Sequence, residues 1–187
     1  MINDYINFHI VDDVFSKETQ DDIEDAVYTK ISFGWVATTI GNEHPWKDAN
    51  IRKNVKEFPY MQHDIIKNGE LAPNIALSPV VYALVDKFEK TFNIKVKNIQ
   101  RAQCNFTWIQ PNGPLVSPRH RDSVYDHHVL LYYINDSDGE TVIEVDEETK
   151  SVSPKKGRMV IFNGNNFHSS TSPKKTNRFV ININVTL

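Results

Sequence analysis

Arg178-Phe179-Val180-Ile181-Asn182-Ile183-Asn184-Val185-Thr186 reads as a strand with two unlike faces. Side chains alternate across a strand. Phe179, Ile181, Ile183 and Val185 therefore fall on one side, and Arg178, Val180, Asn182 and Asn184 on the other. The stretch 98–109 repeats the arrangement, with Ala102, Cys104, Phe106 and Trp108 opposed to Arg101, Gln103, Asn105 and Thr107. In each strand one face suits packing on helices, and the other is too polar for a dry core. Such a face is either solvated surface or a wet interior that takes a polar ligand. Arg178 on that face favours the interior.

Outward from these strands, the second half of the chain is β-rich. Further strands are expected at 128–135, 140–146 and 158–163. Turn-forming clusters separate them: Pro111-Asn112-Gly113-Pro114, Asn135-Asp136-Ser137-Asp138-Gly139, Pro154-Lys155-Lys156-Gly157 and Asn163-Gly164-Asn165-Asn166. The first half carries the helical signals. Ser16 is placed to N-cap a helix with Glu18 and Thr19 in its first turn, and Ile23, Val27 and Ile31 recur at helical spacing. Phe33 to Ile40 reads as a strand. Residues 41–59 read as a long polar loop, interrupted at His44-Pro45-Trp46 and Phe58-Pro59. A loop of that length is uncommon unless functional, and Trp46 is its candidate lid aromatic. Ser78 to Phe92 reads as a helix with Pro79 in its first turn and Val80, Leu84, Val85, Phe88 and Phe92 along one face. Helices followed by short strands define an α+β chain with helices packed on a sheet. The expectation is one domain over 1–187, with a helical, variable part at about 1–97 and a β core at about 98–187.

The bulk numbers exclude little but are consistent. The chain has 187 residues, 40% hydrophobic and 24% charged, with a net charge of -3. That length supports a sizeable core, and that charge gives no global attraction to nucleic acid or an acidic membrane. The single cysteine, Cys104, cannot form an internal disulfide. No apolar run approaches the roughly 20 residues of a membrane helix, and the first residues lack a signal-peptide pattern. A cytoplasmic location is the expectation.

The chemistry lies in His120-Arg121-Asp122, His168 and Arg178. A His-x-Asp pair with a distant His supplies two imidazoles and one carboxylate to one face of a metal. That set leaves positions open and suits non-haem Fe(II). His120 and Asp122 project to one side of an extended segment, and His168 follows a strand and a tight turn. Arg178, ten residues later, is a fixed cation that such a metal alone does not need. His127 and His128 are competing imidazoles, read as neighbours of the site, substrate contacts or polar edge residues. His9, His44 and His63 have no partner pattern. Arg119, Arg121 and Lys174-Lys175 are either solvated charge or recognition of an anionic or carbonyl-rich substrate. Trp35 and Trp108 read as packing residues.

On these motifs the chain resembles the Fe(II)/2-oxoglutarate-dependent dioxygenases, and among them the prolyl-4-hydroxylase-like branch of small viral and bacterial type. The resemblance covers most of 98–187. His128 to Asn135 is similar to the strand after the His-x-Asp loop. Asp138-Gly139-Glu140-Thr141 is similar to a Gly-Gly-x-Thr turn, with Asp in place of the first Gly. Gly157 to Phe162 and Asn177 to Ile181 match the strands leading to the distal His and carrying the cation. The N-terminal half matches only through a helix and Phe33-Gly34-Trp35.

The resemblance implies a double-stranded β-helix (jelly roll) core whose mouth holds Fe(II) on His120, Asp122 and His168. It implies that Arg178 pairs with the distal carboxylate of 2-oxoglutarate, a planar bidentate match. Tyr133 would donate to the same carboxylate, and Asn105, Thr107 and Thr141 would line the pocket. The implied reaction consumes O2 and 2-oxoglutarate, releases succinate and CO2, and hydroxylates a C–H bond; ascorbate is a possible supporting reductant. The substrate implied is a protein or peptide side chain. A small molecule or nucleobase is the second candidate, although base repair would need a basic tracking surface. A non-catalytic jelly-roll metal-binding module is the third.

Overall fold

The structure is a computed structural model and describes residues 6–29, 34–40, 58–73, 75–110 and 115–187. Among the described residues, eleven strands and two helices follow in the order β1 (Phe8–Val11), α1 (Lys17–Thr29), β2 (Val36–Ile40), β3 (Phe58–Lys67), β4 (Glu70–Leu71), α2 (Ser78–Phe92), β5 (Asn98–Thr107), β6 (His128–Tyr133), β7 (Thr141–Val145), β8 (Glu148–Val152), β9 (Met159–Asn163), β10 (His168–Ser170) and β11 (Arg178–Thr186). They form a large antiparallel sheet in the order β1-β9-β6-β11-β5-β3-β2, with β4 on β3, and a small sheet β10-β7-β8. The jelly-roll core is thus an open pair of sheets, and the described residues do not close it into a barrel.

Two apolar clusters divide the layers. On the outer face of the large sheet, Cys104, Leu130, Tyr132, Ile161, Ile181 and Ile183 meet Ile23 and Val27 of α1 and Val81, Leu84 and Phe88 of α2. On its inner face, Val129, Leu131, Tyr133, Phe162 and Val180 meet Ile143, Val145 and Val152 of the small sheet. The period-2 reading of β5 and β11 therefore holds: Ala102, Cys104, Phe179, Ile181, Ile183 and Val185 pack with the helices. Their polar faces turn inward, where Arg101, Gln103, Asn105, Thr107, Arg178 and Asn182 line a cavity.

Local signals account for both helices. The Ser16 hydroxyl accepts the backbone N–H of Thr19 at 3.3 Å, the expected N-cap. Pro79 sits in the first turn of α2, and Asn93 ends it in the left-handed region at φ 52°. The fully buried stripe of α2 is Val81, Leu84, Val85 and Phe88; Val80 and Phe92 pack half-buried at its edges. Neither helix is long and apolar enough to cross a membrane.

Three expectations change. Phe58 and Pro59, read as the end of a loop, begin β3, a ten-residue strand between β2 and β5. Pro59 hid it, but Pro59 pairs only with Thr39, and pairing to β5 begins at Met61. A missing N–H is tolerated where only one neighbour is present. β2 begins at Val36; Phe33, like Ile31, lies outside the described residues, as do residues 41–57 with His44 and Trp46. The short strands β1, β8 and β10 carry too few residues to show a period.

The Asp138-Gly139 turn departs from the Gly-Gly pattern for a visible reason. The Asp138 carboxylate accepts the backbone N–H groups of Lys174, Lys175 and Thr176 at 3.1–3.3 Å, tying this turn to the loop before β11. Gly139 permits that approach: a Cβ there would lie 2.8 Å from the Thr171 carbonyl oxygen and 3.0 Å from the Pro173 nitrogen. Both are backbone atoms, so the clash has no flexible side chain to relieve it. Gly139→Ala is expected to cost about 1–3 kcal/mol, the range for overpacking. Urea unfolding monitored by circular dichroism checks this; an unchanged midpoint would refute the close-approach argument.

Candidate metal centre

The site is assembled where the segment before Asp122 runs beside β10. His120 and His168 form an antiparallel bridge with two backbone hydrogen bonds, each 2.9 Å. Val116 bridges Thr171 through its neighbours, the Ser117 N–H donating to the Ser170 carbonyl and the Ser172 N–H to that of Leu115, while the Ser170 N–H donates to Ser117 Oγ, each at 2.8 Å. Residues 115–120 thus add to the edge of the small sheet, with Pro118, which has no N–H to give, interrupting the ladder. The bridge sets the two imidazoles side by side, their ring centroids 4.5 Å apart.

The ring nitrogens are assigned by their surroundings. His120 Nδ1 lies 2.7 Å from the Pro118 carbonyl oxygen and His168 Nδ1 lies 3.5 Å from that of Asn166. A protonated Nδ1 on each leaves both Nε2 lone pairs pointing to Asp122, whose Oδ1 is 3.9 Å from His120 Nε2 and 3.7 Å from His168 Nε2. Donors bound at about 2.1 Å to one ion stand roughly 3 Å apart; a small closure brings these three onto one. The three residues form the one such donor group among the described residues, with ligand atoms all within 4.8 Å. Two imidazole nitrogens and one carboxylate oxygen fit Fe(II) with open positions.

Asp122 is the costly member. Its side chain is 5% exposed, and Arg101 Nη2 approaches its Oδ1 at 2.9 Å. Its Oδ2 accepts the side-chain amides of Asn182 at 3.0 Å and Asn184 at 3.3 Å. Burial pushes the carboxyl upward, but Arg101, the two imidazoles and the Asn182 amide hold it well below the usual carboxylate range. Burial likewise depresses both histidines, helped at His120 by His168 and opposed at both by Asp122; His120 falls to about 4. Neutral imidazoles beside an ionised carboxylate are the metal-binding protonation state.

Arg178 marks the other end of a cavity of about 280 Å³. It is buried, and no carboxylate pairs with it among the described residues. Its Nη2 donates to Thr141 Oγ1 at 2.8 Å, while its Nε is buried with no partner. Tyr133, off the cavity wall, donates its hydroxyl to the same Thr141 oxygen at 2.8 Å. Thr141 accepts twice, which leaves its own hydrogen for an acceptor inside the cavity. The structure therefore puts Thr141 on the wall and Tyr133 one step behind it. Asn105 and Thr107 line the same wall, and Asn105 Oδ1 is a second buried atom without a partner.

The remaining candidates separate cleanly. His127 and His128 lie off the cavity. His127 packs its ring on Gly164 and sets its Nδ1 2.7 Å from the Tyr125 carbonyl oxygen, and His128 opens β6 facing Phe88. His63 is buried beside Trp35, and Trp35 and Trp108 pack on Phe106. Arg119 is held bidentately by Glu144 and lies on the Phe167 ring. Arg121 stands over the same ring, 4.5 Å from its centroid, and lines the cavity. Lys174 and Lys175 are exposed and contribute backbone N–H groups to Asp138. Sequence reasoning grouped Arg101, Asn182 and Asn184 on the polar faces but gave them no task. Tyr60 and Gln62, on the β3 wall, were missed with the strand itself.

No family model and no curated protein matches the sequence. The fold does match solved structures. A 2OG-Fe(II) oxygenase family oxidoreductase from Burkholderia pseudomallei aligns at TM-score 0.70 and 12% identity, over 96% of this chain and 85% of that one. A prolyl hydroxylase from Trichoplax adhaerens, in complex with a hypoxia inducible factor peptide fragment, aligns at TM-score 0.66 and 13% identity, over 98% and 86%. A Pseudomonas putida prolyl-4-hydroxylase aligns at TM-score 0.61 and 11% identity, over 97% and 93%. The fold is that of the 2-oxoglutarate Fe(II) oxygenases, of prolyl-4-hydroxylase-like form.

Both histidines bind protons less readily folded than unfolded. Between the ordinary value of 6.5 and about 4, the unfolded chain takes up protons that folded His120 refuses. The metal-free protein should therefore lose stability as pH falls through that window. Melting temperatures measured from pH 7 to 4 should decline, and His120→Gln should flatten the decline. A profile identical in the two proteins would contradict the assignment.

Proposed function

We propose that the protein is an Fe(II)- and 2-oxoglutarate-dependent oxygenase that hydroxylates a C–H bond, with a protein or peptide side chain as substrate. One observation carries the reading. A buried arginine without a carboxylate faces the same cavity as a two-histidine, one-carboxylate metal face. A metal site alone has no use for Arg178, and a desolvated guanidinium costs stability until an anion meets it. A non-catalytic module would have no reason to keep both ends.

His120, Asp122 and His168 would hold the iron. Arg178 and the Thr141 hydroxyl would take the distal carboxylate of 2-oxoglutarate, with Tyr133 fixing Thr141 from behind. Asn105 and Thr107 would complete that wall. Bound together, iron and 2-oxoglutarate would supply O2 activation with release of succinate and CO2, and the chain would supply orientation and a partly buried cavity. Val129, Leu131, Phe162 and Val180 give that cavity its apolar wall.

The peptide reading is supported by the likeness to prolyl hydroxylases, one of them carrying a peptide. Action on a small molecule is the second reading, supported by a comparable likeness, at TM-score 0.64 and 8% identity, to SnoN, a non-heme alpha ketoglutarate dependent epimerase from nogalamycin biosynthesis.

The test is anaerobic titration of the Fe(II)-loaded protein with 2-oxoglutarate, following the weak visible charge-transfer band. Wild type should give the band. Arg178→Ala should need about thirtyfold more 2-oxoglutarate, the consequence of losing one partner of a buried charge pair worth about 2 kcal/mol. Iron binding with no band in wild type would remove the co-substrate assignment.

A further inference from the structure

Among the described residues lining the cavity, three are arginines, Arg101, Arg121 and Arg178, and one is a carboxylate, Asp122; no lysine, glutamate or second aspartate joins them. The wall thus carries two positive charges in excess. A divalent metal and the 2-oxoglutarate dianion cancel each other and leave that excess intact. In a partly desolvated cavity an uncompensated pair of charges is costly, so the loaded site still wants an anion.

The two arginines concerned are not the one committed to 2-oxoglutarate. Arg178 stands at the Thr141 end. Arg101 touches Asp122 itself, 2.9 Å from the oxygen nearest both histidines, and its Nε is buried with no partner. Among the described residues its polar contacts run through Nη2 alone, to Asp122 and to the Asn184 amide oxygen at 3.4 Å, so other donors of the guanidinium fork are not spent. Arg121 sits between the two ligands His120 and Asp122 in sequence, over the Phe167 ring, and lines the cavity. Its neighbour on that ring, Arg119, is neutralised by Glu144, whereas no carboxylate pairs with Arg121 among the described residues. Phe167 and the Arg119–Glu144 pair thereby form a platform that presents Arg121 with its charge unspent.

We infer that the substrate of this site carries an oxyanion close to the carbon that is oxidised, a carboxylate or a phosphoryl group, bound by Arg121 and Arg101. The inference rests on the oxygenase reading above and narrows its substrate class. A planar fork suits either anion. Within the peptide reading it selects acidic segments, and within the small-molecule reading it selects acids.

The test uses Mn(II)-loaded protein saturated with 2-oxoglutarate at constant ionic strength. The proton relaxation of the methyl groups of acetate, methyl phosphate and acetamide reports binding near the metal. At least one of the two anions should bind more tightly than acetamide, and whichever does so better identifies the carboxyl or the phosphoryl source. Arg121→Gln should weaken that binding about tenfold, and Arg121→Lys, which keeps the charge, should lose less. Anions bound no better than acetamide, or bound equally by Arg121→Gln, would overturn the inference. The anaerobic Fe(II) charge-transfer band in the same proteins separates the two failures. A band with no anion binding removes the substrate class alone, and no band removes the oxygenase reading with it.

Discussion

One buried carboxylate organises the polar end of this molecule. Asp122 hangs from the edge of the small sheet and is gripped by Arg101 of β5 and by Asn182 and Asn184 of β11, in the large sheet. Taking a carboxylate out of water costs several kcal/mol unless its lone pairs are satisfied. Both of its oxygens are, and the donors come from the layer opposite. The polar faces of β5 and β11 are therefore structural as well as chemical. They let two sheets that are apolar at one end separate around a charged cavity at the other, with the anion as their tie.

The histidines meet that carboxylate through backbone geometry. The two-bond bridge between His120 and His168 fixes two side chains 48 positions apart in the sequence. Their Nδ1 contacts turn the Nε2 atoms toward Asp122. Preorganisation of this kind matters for an open metal site, because three ligands must hold an ion that six would hold more easily. The same edge places Arg121 and the Arg119–Glu144 pair on Phe167, so metal ligands and rim charges share one scaffold.

How much of this was legible follows from which signals are local. The alternation in 98–109 and 178–185 is a property of consecutive residues, and it assigned each face correctly. The triad was legible because two imidazoles and a carboxylate form a pattern of residue types along the chain, and His120, Asp122 and His168 do come together. β3 was not legible: Pro59 and a run of polar side chains mask its period, and its buried Ile65 and Ile66 are fixed by packing with residues distant in sequence. Nor did the sequence say that Arg101, Asn182 and Asn184 converge on Asp122, since that depends on the register of β11 against β5, Asn184 opposite Arg101. Tyr133, expected at the co-substrate's carboxylate, donates its hydroxyl to Thr141, which lines the cavity where Tyr133 does not, a contact that no local pattern announces.

The two ends of the cavity differ in kind. At the Arg178 end, every group that touches the guanidinium is neutral, buried and held by another, so the end is a rigid receptor for a ligand of fixed shape. At the Asp122 end, Arg101 is shared between a carboxylate and an orphaned Nε, and Arg121 rests on an aromatic ring without a counter-charge. The first kind of end suits the carboxylate of the proposed co-substrate, and the second lies beside the candidate metal ligands. If Arg101 and Arg121 receive the substrate as proposed, selectivity would be electrostatic before it is steric, because their charge is what Asp122 and the two neutral imidazoles leave uncompensated.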